Sequence, residues 1–173
     1  DSHAVRRIGP GSGGLVVETD RGPFAAAAVV LAAGTWSGQI DIAGVPTQVP
    51  VHPVRGQLLR LTWRGPAVRR VTWRGRCYIV PWDDGTMLVG ATVENAGFEE
   101  CATADGVRDL LEAACELLPH ARTAGFAGAY VGLRPATADD LPIIGASQVL
   151  PNLMYATGHY RNGILLAPLT AKR

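Results

Sequence analysis

From Ala28 to Ala32 the chain reads Ala-Val-Val-Leu-Ala, five apolar residues with no polar side chain on either parity. Successive side chains of an extended strand point to opposite faces, so this run asks to be covered on both sides of its sheet. That requirement fits a layered α/β architecture. The run ends in Ala33-Gly34-Thr35-Trp36-Ser37, where Gly34 permits a tight bend and Thr35 is placed to cap a following helical turn. Strands of nucleotide-binding domains bend this way at their carboxyl ends.

Around this run the pattern divides the chain. Upstream, Leu15–Thr19 reads as a strand and Asp20-Arg21-Gly22-Pro23 as a turn. Gly9-Pro10-Gly11-Ser12-Gly13-Gly14 precedes a strand without joining it to a helix, and is expected to be a flexible hairpin loop. After Pro46, Pro50 and Pro53 the texture changes to alternation over 57–63, 70–73, 77–81 and 87–92, predicting an antiparallel meander. The Asp-Gly of Trp82-Asp83-Asp84-Gly85-Thr86 makes its last connection a tight hairpin. Val107, Leu110, Leu111, Ala114, Leu117 and Leu118 recur at helical spacing behind a cap at Thr103 or Asp105, and Pro119 stops the helix. A strand from Gly125 to Leu133 leads into Arg134-Pro135, an Asp139–Pro142 turn and Ile143-Ile144-Gly145. A last strand, Leu153–Thr157, runs into the glycine-framed segment Gly158–Pro168.

At 173 residues and 47% hydrophobic composition, the chain suffices for one domain or for two incomplete pieces of a larger protein. Its first residues enter a strand-like pattern without a start methionine, the expectation for a segment of a longer polypeptide. The 16 basic and 15 acidic residues read as scattered along the chain, which sets nucleic acid aside as a partner. Cys77, Cys101 and Cys115 form no Cys-x-x-Cys pair, and the histidines have no zinc-site spacing. This suits a reducing cytoplasm and no metal. No apolar run reaches a membrane span, so no membrane partner is expected.

Three side chains stand out. Pro135 restricts the backbone of Arg134, giving its guanidinium a fixed direction; it either clamps a carboxylate or forms a structural salt bridge to Asp139 or Asp140. Arg161 lies between Gly158 and Gly163, positions suited to close ligand approach, and its alternative is a solvated surface arginine. Tyr78 falls on the strand face opposite Cys77 and Ile79, facing either a cavity or the core. Asp139 and Asp140 read as turn formers. Gly158–Pro168 is a polar turn opening a helix, whose free N–H groups suit an electron-rich ligand edge. Gly-x-Ser-x-Gly and Walker motifs are missing from these residues, and the Gly-x-Gly-x-x-Gly spacing of Gly9, Gly11 and Gly14 precedes a strand without joining a strand to a helix, so no dinucleotide fingerprint is read there.

Taken in order, 29–37, Pro53-Val54-Arg55-Gly56-Gln57, Tyr78-Ile79-Val80-Pro81, 89–94, Gly132-Leu133-Arg134-Pro135 and 158–168 carry a resemblance. The chain resembles the glycine oxidase and D-amino acid oxidase group of FAD-dependent amine oxidoreductases, and most of all the glycine oxidases of thiamine biosynthesis. The resemblance implies that Arg134 grips the substrate carboxylate, that Arg161 and Tyr78 also bind substrate, and that no side chain need act as a general acid. It implies cofactor contacts at Val5, Gly34, Trp36, His159, Tyr160, Arg161, Asn162, Gly163, Ile164 and Leu165. The implied activity is hydride transfer from a small amino acid or amine to FAD, with oxygen as electron acceptor and hydrogen peroxide as product. No cysteine follows Cys115, which favours non-covalent FAD.

The implied fold is an antiparallel-sheet substrate-binding domain at 45–126, between two remnants of a Rossmann-like FAD-binding domain at 1–44 and 127–173. The isolated segment is then expected to be inactive, because nothing in it holds the ADP portion of FAD. A sarcosine or D-amino acid oxidase, a dehydrogenase of the same family, and a non-catalytic binding module lacking the nucleotide half are the competing readings. Oligomeric state stays open.

Overall fold

The computed structural model describes residues 3–172, and the chain divides into two compact units. The first runs up to Pro53 and resumes at Arg134; the second is Val54–Leu133. The divisions fall inside two long strands, beyond the expected boundaries at 44 and 126. Residues 1, 2 and 173, the outer ends of the expected pieces, lie outside the described residues.

In the first unit, β1 (Val5–Gly11), β2 (Gly14–Thr19) and β3 (Gly22–Ala26) form an antiparallel meander. β5 (Asp41–Ile42) adds in parallel to β1, giving the order β3-β2-β1-β5. The glycine-rich stretch expected as a flexible loop is mostly strand. Gly11 pairs with Gly14, and only Ser12 and Gly13 turn, because Gly13 adopts a positive φ of 90° and closes the hairpin in two residues. The expected turn over 20–23 is likewise shorter, since β3 starts at Gly22.

β4 (Val29–Leu31), β11 (Ile143–Ala146) and β12 (Leu153–Thr157) form a second sheet of order β11-β12-β4, with β12 antiparallel to β11 and parallel to β4. Ile8, Leu15 and Ile42 from the first sheet meet Leu31 and Leu153 from the second in one buried cluster that also takes in Ile40, Val49, Val51 and Leu150. Here the opening expectation needs correction, because Val30 is 61% exposed. Alternation sends Leu31 into the cluster and Val30 to the opposite face, where no layer covers it among the described residues.

The second unit is built on one sheet of order β10-β6-β9-β8-β7: β6 (His52–Thr62), β7 (Thr72–Arg74), β8 (Cys77–Pro81), β9 (Thr86–Gly90) and β10 (Gly125–Ala136). The Asp83–Gly85 turn closes β8 and β9 as its chemistry predicts, with Gly85 at φ 77° and its N–H donating to the Trp82 carbonyl at 3.2 Å. Helix α1 (Ala104–Leu117) packs Leu110 and Ala114 onto Leu59, Leu61, Cys77, Ile79, Met87 and Val89. Each fully buried Leu, Ile or Val there contributes roughly 1.5–3 kcal/mol.

What fixes the start of α1 is polar. Thr103 caps it, accepting from the Gly106 N–H at 3.1 Å. Gln57, completely buried in mid-strand, takes the Thr103 N–H at 2.9 Å on Oε1 and donates from Nε2 to Thr103 Oγ1 and Glu94 Oε1. Glu94 also receives Arg55 Nε at 3.0 Å, and the two backbones exchange hydrogen bonds. Gly106 makes the approach feasible: a Cβ there would stand 2.3 Å from Gln57 Nε2.

Burial works to raise the Glu94 carboxyl, but hydrogen bonds from Thr92, Arg55 and Gln57 and the Arg55 charge outweigh it and hold the group below its ordinary 4.5. A carboxylate lowered by folding lends stability that is complete above its unfolded value and is lost as pH falls through the lower folded value. Melting curves of the wild type are therefore expected to fall steeply as pH drops below about 4.5, and those of Glu94→Gln less steeply. Equal slopes would contradict this account of Glu94.

Candidate active site

Because β4 and β12 run parallel, both carboxyl ends reach the same edge of their sheet, where α/β proteins take ligands. Beyond β4 the chain enters a 3-10 turn, Gly34–Gln39, in which Gly34 adopts φ 56°. Beyond β12, Gly158 adopts φ 73° and the chain turns through His159–Asn162 into α2 (Gly163–Thr170). Thr157 joins the two ends, donating to the Gly34 carbonyl at 3.1 Å and meeting the Ser37 hydroxyl at 2.8 Å.

Thr35 does not cap this turn, contrary to the sequence expectation. Ala33 occupies the cap position and Thr35 sits inside, buried, its Oγ1 without a hydrogen-bond partner among the described residues. Trp36, on the same turn, is exposed. Val5 pairs with Thr19 at the start of β1 and packs against the first unit's buried cluster.

The strand end carrying Arg134 reaches the same place. The Tyr160 N–H donates to the Pro135 carbonyl at 2.8 Å, so the residue after Arg134 is bonded to the residue before Arg161. Gly158 lies against Thr137 and Ile143, and a Cβ there would stand 2.8 Å from Thr137 Cγ2. Thr137 is fixed in turn, donating to the Leu141 carbonyl at 2.8 Å. Asp139 Oδ1 accepts the Leu141 N–H at 3.1 Å and also engages Thr137, the turn-forming role read from sequence. These bonds hold the Asp139 carboxyl below its ordinary value.

Helix α2 opens uncapped. The Asn162 side chain makes no capping bond, so the N–H groups of Gly163, Ile164 and Leu165 have no acceptor within the helix. Ile164 and Leu165 are 93% and 79% exposed. The His159 ring spans the helix to Thr170 Oγ1 at 3.0 Å, tying the turn to the helix's far end. The result is a ridge of backbone donors at a positive helix end, beside the exposed Arg161 and the half-buried Arg134.

Tyr78 belongs to the second unit. On β8, Cys77 and Ile79 enter the core and Tyr78 takes the opposite face, as alternation predicts. Register places Trp73, Tyr78, Gly90 and Leu58 in one row across β7, β8, β9 and β6. A Cβ on Gly90 would stand 2.5 Å from Tyr78 Oη and 2.6 Å from Leu58 Cδ2, so this glycine leaves the space that the phenol fills. Neither Gly90 nor Trp73 was singled out from sequence; the signal available was the register dictated by the Asp84-Gly85 hairpin. Among the described residues no group of three or more metal-ligating side chains gathers, and no helix is long and apolar enough to cross a membrane.

Comparison with known proteins bears on this geometry. The model of the DAO family, FAD dependent oxidoreductase, matches residues 1–173. Glycine oxidase of Geobacillus kaustophilus (strain HTA426) is 39% identical over 160 residues, covering 92% of this chain and 42% of that protein. The bifunctional protein ThiO/ThiG of Nostoc sp. (strain PCC 7120) is 42% identical over 161 residues, covering 90% of this chain and 23% of that protein. The crystal structure of glycine oxidase from Geobacillus kaustophilus superposes with a TM-score of 0.91 at 37% identity, covering 98% of this chain and 46% of that one. The chain thus spans less than half the length of these relatives.

Gly158 offers a direct check on the geometry. Gly158→Ala combines a positive φ with a contact that must give way, and is expected to cost about 1–3 kcal/mol in chemical denaturation. Wild-type stability in that variant would contradict the packing of the turn on Thr137.

Proposed function

Because the chain belongs to the DAO family of FAD dependent oxidoreductases, we propose that it forms part of an enzyme that oxidatively deaminates glycine or another small amino acid. The observation that carries this reading is the hydrogen bond from Tyr160 to Pro135, which sets the Arg134 strand end beside the open start of α2. A cation fit for a carboxylate and a ridge of N–H donors fit for an electron-rich ring are thereby adjacent. The likeness to glycine oxidase supports glycine as substrate, and the likeness to ThiO/ThiG supports a place in thiamine thiazole biosynthesis.

The residues present fit the flavin end of FAD. The uncapped N–H groups of 163–165 suit the electron-rich edge of an isoalloxazine ring, and the unpartnered Thr35 hydroxyl at the β4 end offers a further polar contact. Bound there, FAD would take a hydride from the substrate α-carbon and pass the electrons to oxygen, so that amino acid, water and oxygen become 2-oxo acid, ammonia and hydrogen peroxide.

The chain's own part is positioning. Arg134 holds the substrate carboxylate through its planar fork and Arg161 supplies a second cation, while Tyr78 is assigned to substrate binding on the family resemblance. The positive start of α2 stabilises negative charge that accumulates at the ring edge. Val5, Gly34, Trp36 and the 159–165 segment are assigned to the cofactor. The first unit then carries the cofactor contacts together with Arg134 and Arg161, and the second carries Tyr78. No cysteine follows Cys115 in these 173 residues, which favours non-covalent FAD. The Gly-x-Gly-x-x-Gly spacing of Gly9, Gly11 and Gly14 lies in the β1–β2 hairpin and opens no helix, so it is not assigned to the ADP portion of FAD, and the segment alone is expected to be inactive.

Arg134→Leu in the FAD-loaded full-length protein is expected to lose roughly 2–5 kcal/mol of substrate stabilisation. The measurement is kcat/KM from hydrogen peroxide release with glycine, sarcosine, D-alanine and D-proline. Unchanged turnover in the variant would remove Arg134 from the site, and turnover with an artificial acceptor but no peroxide would make the enzyme a dehydrogenase.

A further inference from the structure

Helix α2 lacks two of the bonds that ordinarily steady a helix. It opens without a side-chain cap at Asn162, and Pro168 interrupts its ladder, because a proline has no N–H to give the Ile164 carbonyl one turn earlier. One side-chain contact spans the interruption. His159 Nε2 meets Thr170 Oγ1 at 3.0 Å, joining the turn before α2 to the last residue of the helix. Both side chains are half-buried, so water competes with this bond less than it would at an open surface.

The imidazole is fixed from its own backbone as well. The His159 carbonyl accepts the Asn162 N–H at 2.9 Å, and the next residue, Tyr160, is bonded to Pro135. Tyr160 adopts φ 47°, a left-handed conformation that a bulky side chain takes only when its surroundings impose it. Gly163 opens the helix against His159, where a Cβ would stand 3.6 Å from His159 Cβ. The ring therefore starts from a rigid turn and is directed at the far end of α2, not at the open N–H groups of 163–165.

We propose that His159 is a positioning residue for the reaction: through its bond to Thr170 it holds the open start of α2 where the N–H groups stabilise negative charge on the flavin. The inference rests on the oxidase reading and goes beyond it, giving Thr170 a part in the reaction and the His159 ring a part distinct from the backbone contacts of its segment. Stabilisation by dipoles depends on their being fixed before the charge appears. Donors at the start of a helix that can shift lose that advantage.

Sulfite is the probe, added to the FAD-loaded full-length protein. Its sulfur lone pair forms a bond to a nitrogen of the oxidised ring, and the displaced electron pair leaves the ring negatively charged, so sulfite affinity reads the stabilisation that α2 supplies. The visible flavin absorption bleaches as the adduct forms, and titration gives Kd. Thr170→Val keeps the shape of the side chain without its hydroxyl, and His159→Phe keeps a ring without its nitrogens. Each is expected to weaken sulfite binding by about fivefold, the loss that one hydrogen bond supports. The double variant should lose no more than either single one, since the same bond is missing in all three, and Thr170→Ser should bind sulfite as the wild type does. Wild-type affinity in both single variants, losses that multiply in the double variant, a Thr170→Ser protein as weak as Thr170→Val, or a wild type that oxidises glycine without taking up sulfite overturns this inference, and glycine oxidation by the wild type leaves the oxidase reading standing. A wild-type flavin bleached by neither sulfite nor any amine overturns both.

Discussion

The parallel pairing of β4 with β12 is the constraint on which the rest depends. Parallel strands cannot be joined by a hairpin; the chain must leave one and return to the other by a crossover. Here the crossover runs from Leu31 to Leu153 and contains the entire second unit. Placing both strand ends at one edge also decides where chemistry gathers, since the 3-10 turn with Gly34 and Thr35 and the turn leading into α2 follow directly from them. Thr157, bonded to both Gly34 and Ser37, keeps the two ends in register.

Within the second unit a different force sets the geometry. Apolar burial places α1 on the sheet but would tolerate small shifts along it. The buried amide of Gln57, satisfied at both ends by Thr103 and Glu94, allows one position for the helix start. Arg55 neutralises the charge that this arrangement brings beneath the protein surface, and Gly106 removes the one side chain that would keep Gln57 away. The Pro-Val-Arg-Gly-Gln segment is therefore a structural fastening, whatever its value as a mark of kinship.

Much of this was legible where the signal is local. The spacing of Val107, Leu110 and Ala114 with Thr103 ahead of them specified α1, and Asp84-Gly85 specified the hairpin that carries Tyr78 beside Gly90. Arg134 and the 158–163 turn stood out through the backbone restrictions that proline and glycine impose. What stayed hidden was long-range. Periodicity tells which face of a strand is apolar but not which strand lies beside it, so the β4–β12 pair, the Gln57 network and the bond from Tyr160 to Pro135 had no sequence signature. Val30 shows the same limit from the other side, because an apolar run states a demand for cover without saying what provides it.

The central claim is that the Arg134 strand end and the start of α2 together present an amino acid carboxylate and a flavin to one another. Anaerobic addition of glycine to the FAD-loaded full-length protein tests it most directly, followed through the visible absorption of the flavin. The account predicts that the oxidised band bleaches in a single turnover. A spectrum unchanged by glycine, sarcosine, D-alanine and D-proline alike would contradict it.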